Sequence, residues 1–338
     1  MPVKSCQNKG YMTGKDLRIV FMGTPEFAVP SLRALVREGY NVVGVVTTPD
    51  REAGRGLKIH ESDVKIAARE LGLPVLQPER LRDEAFQQAL REWQPDLGIV
   101  IAFRMLPESV WAMPRLGTFN LHASLLPQYR GAAPINRAII DGQTETGVTT
   151  FLLNHEIDKG VIIARRREPI LPEDNVGTLY DRLMNLGTGL VLETVERIAT
   201  GDYTPVIQEN IDESTLRPAP KIFKEDCLID WSAGGRSIVN LVRGLSPYPA
   251  AWTRIYRDGA ECGTAKIFEA GFEPDGEGVG AAAAKAGTVA SDGRTYMKVR
   301  CADGWIALGS VQIAGKKRLA IRDLLAGLRD AESCTFEP

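Results

Sequence analysis

Residues 119–160 read FNLHASLLPQYRGAAPINRAIIDGQTETGVTTFLLNHEIDKG, and the rest of the chain is organised around this stretch. It opens on Phe119-Asn120-Leu121-His122, where apolar and polar residues alternate as they do along a strand. Residues two apart on a strand share a face, so Asn120 and His122 are predicted to point the same way. The alternation therefore predicts a strand end that presents an amide beside an imidazole.

Two further parts of the stretch carry polar chemistry. A turn-rich loop covers residues 124–131, and the Asp158-Lys159-Gly160 turn follows the strand-like residues 147–152. An amide, an imidazole and a carboxylate on neighbouring strand ends are the groups that acyl transfer needs. Donors stabilise an oxyanion, and a carboxylate accepts a proton or orients the histidine. On spacing alone, an Asn-x-His pair is more often an ordinary hydrogen-bonded turn, so both interpretations stay open at this point.

The whole stretch resembles the signature of the formyltransferases that use 10-formyltetrahydrofolate. The matching residues are NLHASLLPQYRGAAPINRAI, then TGVT, then the D-x-G turn, and the likeness extends from Leu17 to about Gly327. The resemblance implies that Asn120, His122 and Asp158 are catalytic. It also implies transfer of the formyl group to the α-amino group of methionyl-initiator tRNA, giving N-formylmethionyl-tRNA for translation initiation.

The first half of the chain predicts a Rossmann-like open twisted α/β sheet. A strand at 17–22 ends at Gly-Thr-Pro and is followed by a helix at 27–38 and a strand at 41–47. No G-x-G-x-x-G follows the first strand, which disfavours dinucleotide binding. Further predicted elements are helices at 64–71, 83–93 and 177–200, and strands at 75–76, 96–102 and 161–169.

The folate site is predicted from two loops. One follows the buried strand at 96–102, and the resemblance implies that it helps to build the pterin pocket. The other begins directly after the Asn-x-His strand. The resemblance assigns folate binding to Phe103, Met105, Leu106, Ser124, Leu125, Leu126 and Pro127. Core packing is an equal alternative for the three residues of the first loop, since a pocket lining is itself mostly apolar.

Residues 48–63, TPDREAGRGLKIHESD, are polar and aperiodic, which is typical of a solvated surface loop. The segment also resembles the inserted loop with which tRNA formyltransferases hold the acceptor stem. Guanidinium groups pair with phosphates bidentately, so the resemblance implies tRNA binding by Arg51, Arg55 and Lys58, with Arg55 the best candidate. The residues after Gly-Arg-Gly depart from the commoner Lys-Lys and Pro-Ser-Pro, which makes this loop less basic.

The second half of the chain predicts a smaller domain. A length of 338 residues suggests two domains. Short strands at 251–256, 264–270, 287–290, 295–301 and 305–312 with glycine turns suggest a small barrel, with helices at 233–242 and 321–328. This half resembles the OB-like C-terminal barrel of the tRNA formyltransferases. The predicted division is a tail at 1–14, a catalytic domain at 15–202, a linker at 203–220 and a tRNA-binding domain at 221–330.

A basic cluster, Lys316, Lys317 and Arg318, follows Gly315 near the end of the predicted barrel. A solvated hairpin end is the plain interpretation. Together with the barrel and the arginine loop, the cluster becomes a candidate phosphate contact.

Composition sets limits on the remaining functions. The formal net charge of −2 implies that any contact with tRNA depends on local clusters. Cys6, Cys227, Cys262, Cys301 and Cys334 have no metal-site spacing and predict free thiols in a reducing cytoplasm. We see no secretory signal and no apolar run that would span a bilayer. The expected protein is a cytoplasmic monomer that needs no metal.

Two other classes compete with this interpretation, namely a formyltransferase for a small substrate and a hydrolytic or non-enzymatic relative. A folate-dependent formyltransferase for a small amine, such as a glycinamide ribonucleotide or a nucleotide-linked amino sugar, would share the catalytic residues but has no need of the arginine loop and barrel. A 10-formyltetrahydrofolate hydrolase should lack the tRNA contacts. A tRNA-end-binding module with an inactive first domain should have lost Asn120, His122 or Asp158, and all three are present.

Overall fold

The computed structural model describes residues 13–53, 58–208, 211–276, 284–328 and 331–337. The described chain divides into two compact units. The first unit comprises Met1–Arg130, Gly147–Arg167 and Arg182–Leu216, and the second comprises Gly131–Thr146, Glu168–Asp181 and Arg217–Pro338, in so far as these ranges are described. The two units interleave along the chain, whereas the sequence predicts one domain after the other. The predicted domain boundaries therefore stay a prediction.

The first part of the chain alternates strands and helices. Its described strands are β1 (Ile19–Gly23), β2 (Val42–Val46), β3 (Arg51–Ala53), β4 (Lys58–His60), β5 (Val75–Leu76), β6 (Leu97–Ile101), β7 (Thr118–His122), β8 (Glu145–Leu152) and β9 (Val161–Pro169). Its helices are α1 (Val29–Arg37), α2 (Asp63–Glu70), α3 (Glu84–Glu92), α4 (Glu108–Trp111), α5 (Pro134–Ile140) and α6 (Val176–Thr200).

Seven of these strands form one sheet, in the order β5-β2-β1-β6-β7-β8-β9. Strands β5, β2, β1, β6 and β7 pair in parallel, and β8 runs antiparallel to β7. The central strands β1 and β6 are buried along their whole length, as expected for apolar runs in a sheet that helices cover. The predicted Rossmann-like open sheet is confirmed.

The order of the strands positions the candidate site. Because β1, β6 and β7 are parallel neighbours, their carboxyl ends at Gly23, Ile101 and His122 lie along one edge of the sheet. Ligands of open α/β sheets bind at this edge. Glycine permits close packing of α3 against the sheet, since a Cβ on Gly44 of β2 would lie 2.4 Å from the indole of Trp93 at the end of that helix.

The prediction of an aperiodic loop at 48–63 was wrong in part. Strands β3 and β4 form an antiparallel pair there, with Arg51 opposite His60. Backbone pairing in such a hairpin needs no apolar alternation, so the sequence carried no signal for it. The sequence analysis also assigned no helix to the residues of α5, which has proline in its first turn, a position suited to a ring without an N–H.

The predicted tail at 1–14 is described only from Thr13. The backbone N–H of Gly14 donates to Oε2 of Glu196 over 3.0 Å, and the hydroxyl of Tyr40 donates to Oε1 of the same carboxylate over 2.7 Å. Burial, reinforced by Glu196, raises the pKa of Tyr40 well above its usual range. Gly14 is thus packed against the first unit, and residues 1–12 lie outside the described residues.

The second unit contains the predicted barrel. Its later elements are α7 (Gly235–Leu245), β10 (Ala251–Arg257), β11 (Ala260–Pro274), β12 (Val289–Ser291), β13 (Met297–Cys301), β14 (Gly304–Ile313), β15 (Leu319–Ala320), α8 (Ile321–Gly327) and β16 (Cys334–Glu337). The antiparallel sheet runs β12-β13-β14-β11-β10-β16, with β15 paired to β14. A bridge between Thr288 and Thr335 links the two ends of this order and nearly closes the barrel.

Trp231 anchors the core of the barrel. It is 1% exposed, its Nε1 donates to Oγ1 of Thr253 over 2.9 Å, and its ring lies 5.8 Å from that of Phe336. Cys227 and Cys301 are buried free thiols, and burial raises the pKa of both. Within the described ranges, no helix combines the length and the apolar character needed to cross a bilayer.

Candidate active site

Strand β7 presents the predicted pair of side chains. His122 is its last residue and pairs with Thr149 of β8, while Asn120 pairs with Phe151 of the same strand. The imidazole is 7% exposed, whereas Asn120 is half-buried. Among the described residues, the side-chain amide of Asn120 makes no hydrogen bond, so it is available to a ligand.

The two nitrogens of His122 have different partners. Nε2 lies 2.8 Å from the backbone carbonyl oxygen of Tyr129. A carbonyl only accepts hydrogen bonds, so Nε2 carries a hydrogen and donates. Nδ1 lies 4.0 Å from Oδ2 of Asp158, within ion-pair range but beyond a direct hydrogen bond. The carbonyl thus selects the tautomer, and Nδ1 is the nitrogen that can gain or lose a proton.

Asp158 lies in the turn between β8 and β9. Its φ of 54° is in the left-handed region, which aspartate tolerates better than most residues. A Cβ on Gly160 would lie 1.7 Å from the carbonyl oxygen of Leu152, so this turn closes only around a glycine. The D-x-G pattern therefore has a steric reason as well as a chemical one.

Three of the six described non-glycine residues with a left-handed backbone lie in loops near the candidate site. Ala102, Tyr129 and Asp158 have φ values of 47°, 59° and 54°. Ala102 follows β6 and Tyr129 lies in the loop after β7, while Asp158 is placed beside His122 by the turn between β8 and β9. Non-glycine residues held in the left-handed region cost energy and cluster at functional sites.

Hydrogen bonds hold the loop that follows β7. The hydroxyl of Ser124 donates to the carbonyl of Gln128 over 2.6 Å. Oγ1 of Thr149 donates to the carbonyl of Ser124 over 2.7 Å and accepts from the N–H of Leu126 over 3.2 Å. The peptide bond between Leu126 and Pro127 is cis. The two hydrogen bonds of Thr149 anchor this part of the predicted folate site to β8.

The predicted folate residues differ in exposure. Leu126 is 1% exposed and packs with Phe151 and Ile162, and Leu106 is 8% exposed in a second apolar cluster. Met105 is 73% exposed. Of these three, only Met105 presents its side chain to solvent, and the role of each in folate binding stays a prediction.

Ion pairs join the two ends of the predicted tRNA loop. Nζ of Lys65 lies 2.5 Å from Asp50 and 3.0 Å from Glu61, so it joins the two ends of the segment. Hydrogen bonds from Lys65 lower the pKa of both carboxyls. Arg51 is exposed on β3 and Lys58 begins β4, while Arg55 lies outside the described residues.

The basic cluster of the second unit is not uniform. Nε of Arg318 donates to Ser310 and its NH2 group donates to Glu269, each over 2.7 Å. Its guanidinium also lies 4.4 Å above the ring of Phe268. Lys316 and Lys317 are exposed and have no side-chain partner among the described residues. The two lysines are thus better placed for phosphate than the arginine.

Three residues at the site were missed by the sequence analysis. Tyr129 acts through its backbone carbonyl, which leaves no trace in a sequence. Thr149 was assigned only to a strand, although its hydroxyl bridges two positions of the loop. Gln208 was assigned to the linker, yet its side chain bonds the turn that carries Asp158.

Comparison with known sequences gives the family of the chain. The Formyl transferase family matches residues 17–195, and the Formyl transferase, C-terminal domain, matches residues 221–329. The chain belongs to the formyl transferase family.

Its relatives carry a more particular name. It is 57% identical over 319 residues to the methionyl-tRNA formyltransferase of Bacteroides thetaiotaomicron, covering 94% of this chain and 98% of that protein. It is 47% identical over 320 residues to the methionyl-tRNA formyltransferase of Porphyromonas gingivalis, covering 94% and 97%.

Solved structures share the fold. An N-formyltransferase from Helicobacter canadensis, in complex with folinic acid and dTDP-3-aminofucose, has a TM-score of 0.62 at 18% identity and covers 90% of this chain and 100% of its own. HypX from Aquifex aeolicus in complex with tetrahydrofolic acid has a TM-score of 0.58 at 20% identity and covers 91% of this chain and 47% of its own.

Proposed function

We propose that this protein transfers the formyl group of 10-formyltetrahydrofolate to the α-amino group of methionyl-initiator tRNA. The observation that carries the proposal is the pairing of His122 with Asp158 beside the open amide of Asn120, in a chain 57% identical to a methionyl-tRNA formyltransferase. Both parts are needed, because the site supports formyl transfer in general and the identity points to this acceptor.

Asn120 stabilises the transition state. As the amine attacks the formyl carbon, negative charge develops on the formyl oxygen. A fixed amide donor aimed at that oxygen acts in a water-poor site, where hydrogen bonds to charge are strongest. The half-buried position of Asn120 and its lack of a competing partner among the described residues support this role.

His122 and Asp158 handle protons. The attacking amine must lose a proton, and the departing N10 must gain one. His122 holds its Nε2 hydrogen on Tyr129, so only Nδ1 exchanges protons, and Asp158 faces that nitrogen. Asp158 orients the imidazole, stabilises its protonated form and takes up the proton of the amine. The protonated imidazole gives its Nδ1 proton to the departing N10, and Asp158 then returns its own proton to Nδ1, so that no proton is gained or lost overall.

The folate occupies the carboxyl edge of the sheet. The exposed side chain of Met105 offers an apolar surface to the flat pterin ring, and the hydrogen-bonded loop at 124–128 offers polar backbone groups to its edge. Phe103, Leu106, Leu125 and Pro127 complete the proposed lining. The reaction needs no metal, and the described residues contain no cluster of three or more His, Cys, Asp or Glu side chains that would hold one.

The tRNA is held by local basic groups, since the chain as a whole carries a formal charge of −2. The proposed contacts are Arg51, Arg55 and Lys58 of the loop and Lys316 and Lys317 of the second unit, with Arg318 shaping the turn. We further propose that the protein works as a monomer in the cytoplasm. Size-exclusion chromatography with light scattering tests the first of these two statements.

A direct assay tests the function. Purified protein is given 10-formyltetrahydrofolate alone and, separately, with methionyl-initiator tRNA, methionyl-elongator tRNA, free methionine or an amino sugar nucleotide. We expect formylation of the charged initiator tRNA and little of the other three acceptors. Formylation of an amino sugar nucleotide instead, or release of formate without any acceptor, would replace the proposal by one of the two competing classes.

A further inference from the structure

The turn that carries Asp158 is fastened by a side chain distant from it in sequence. Nε2 of Gln208 donates to the backbone carbonyl of Asp158 over 3.0 Å and to that of Gly160 over 2.8 Å. Both hydrogens of one amide are therefore used on a single turn. Gln208 is 8% exposed, so these bonds are protected from water.

The glutamine is itself held from two directions. Its Oε1 accepts from the NH2 group of Arg130 over 2.9 Å. Two residues before it, Val206 and Ile162 exchange two backbone hydrogen bonds of 2.9 and 3.0 Å, which extend the edge of the sheet at β9. The amide of Gln208 can be oriented in one way only, because a donor occupies its oxygen and two acceptors occupy its nitrogen.

We propose that Gln208 is a positioning residue for catalysis, which holds Asp158 at its working distance from His122. The inference rests on the proposed function. Asp158 has a left-handed backbone at φ 54° and its carboxylate stands 4.0 Å from Nδ1 of the imidazole. A small rotation of the turn would move that carboxylate out of range, and misplacement of a catalytic group by ~1 Å can cost ~100-fold in rate.

The chemistry requires glutamine at this position. The two carbonyls need two donors on one atom, and Arg130 needs an acceptor on the same amide group. Glutamate has the same shape but has only oxygens to offer the carbonyls when it is ionised. Methionine fills the space without any hydrogen bond. A residue that merely packed there would tolerate either replacement.

The experiment compares Gln208→Ala and Gln208→Glu with a matched control, Gln87→Ala. Gln87 also uses its Nε2 twice, donating to the carbonyl of Leu81 over 3.2 Å and to Ser109 over 2.8 Å. It lies on α3 of the same unit. For each full-length variant, kcat and KM are measured for methionyl-tRNA and for the folate, and activity is normalised to the folded fraction.

We expect kcat of both Gln208 variants to fall by ~10- to 100-fold while each KM changes by less than ~3-fold. Gln87→Ala should keep the wild-type kcat. A kcat within ~2-fold of wild type in Gln208→Glu would overturn the inference, because the two donors would then be dispensable. A parallel loss of kcat in the control would also overturn it, since the effect would then be general.

A second measurement does not depend on activity. Hydrogen exchange of the peptide that spans residues 153–160 should accelerate in Gln208→Ala and remain unchanged in Gln87→Ala. Unchanged exchange in both would refute the fastening of the turn. If the wild-type protein fails to formylate tRNA, the proposed function fails, whereas the exchange result still decides whether Gln208 holds the turn.

Discussion

Nδ1 of His122 faces Oδ2 of Asp158 at 4.0 Å, and the other nitrogen of the same ring is occupied by a backbone carbonyl at 2.8 Å. The imidazole therefore has one free nitrogen, and the carboxylate stands opposite it. Proton transfer in the proposed reaction takes place through His122 and Asp158.

Replacing Asp158 by asparagine tests the pair. The amide keeps the shape of the carboxylate but cannot accept the proton of the amine or balance a charged imidazole. We expect Asp158→Asn to lower kcat by ~100-fold or more in a folded protein. His155→Ala is the control, because His155 is an exposed histidine whose Nε2 lies 3.6 Å from Glu108. Near-wild-type turnover of Asp158→Asn would remove the carboxylate from the mechanism.

Asn120 is expected to act only in the transition state. Asn120→Ala should lower kcat by ~100- to 1,000-fold, the range found for the loss of one oxyanion donor. The KM of the folate should change little, since the charge appears only during the reaction. Asn185→Ala, on the exposed face of α6, serves as the control. An unchanged kcat, or a loss confined to KM, would mean that Asn120 binds the ground state instead.

We expect Lys65 to affect both the pH dependence of thermal stability and the KM for methionyl-tRNA. Hydrogen bonds from Lys65 hold the pKa values of Asp50 and Glu61 below their ordinary 3.8 and 4.5. A lowered carboxyl pKa stabilises the folded protein above the unfolded-state value, and this contribution is lost as pH falls through the lowered value. Lys65→Met should therefore melt at a lower temperature than wild type at pH 7, and the difference should shrink below about pH 4.

The same variant should raise the KM for methionyl-tRNA and leave that for the folate unchanged. Arg115→Met is the control, since Arg115 lies 2.5 Å from Asp96 at the start of β6, the sheet edge opposite the site. If Lys65→Met changes neither KM, the ion pairs of Lys65 have no part in tRNA binding.

Lys316 and Lys317 are expected to contact phosphate. The variant that replaces both by alanine leaves Arg318 in place, because Arg318 bonds Ser310 and Glu269 within the second unit. We expect a higher KM for tRNA, and a plot of log affinity against log salt whose slope is smaller by roughly 1.5. Folate KM should not change.

A matched loss of charge is available elsewhere in the chain. Arg37 ends α1 and Arg91 lies in the last turn of α3, and both precede strands that begin at the edge opposite the site. Replacing both by alanine removes the same charge and should leave the salt slope unchanged. Equal salt slopes for the two double variants would mean that Lys316 and Lys317 do not contact phosphate and only form a solvated turn.

Gly160 should tolerate no side chain. A Cβ there would lie 1.7 Å from the carbonyl oxygen of Leu152, so Gly160→Ala must displace backbone. We expect destabilisation by about 1–3 kcal/mol, the range for overpacking, together with a lower kcat because Asp158 lies in the same turn. Gly189→Ala in α6 meets no atom within 4 Å and should instead stabilise the protein by roughly 0.5–1 kcal/mol. Denaturant unfolding of the two variants measures both values.

Sequence alone predicted the elements whose signal is local. The apolar runs of β1 and β6, the alternation of β7 and the spacing of the barrel strands each lie within a short window. The runs of β1 and β6 also predict their burial, whereas in β7 every residue except Asn120 is buried. The Asn-x-His and D-x-G residues could also be picked out from the sequence, because their chemical types and spacing can be read directly from it. The β3–β4 hairpin was not predicted, because its strands are only three residues long and backbone pairing holds them together.

Tertiary structure alone decided how the side chains at the site are used. The tautomer of His122 depends on the backbone carbonyl of Tyr129. Every residue type has such a carbonyl, so the identity of residue 129 could not have predicted this contact. Gln208 is separated from Asp158 by 50 positions and meets its turn only where the chain returns along β9. The sequence suggests that Arg318 is an exposed cation, whereas the structure shows that it donates hydrogen bonds to Ser310 and Glu269. Periodicity reports which face of an element is buried, whereas the partner of a polar group depends on register and chain path across the whole fold.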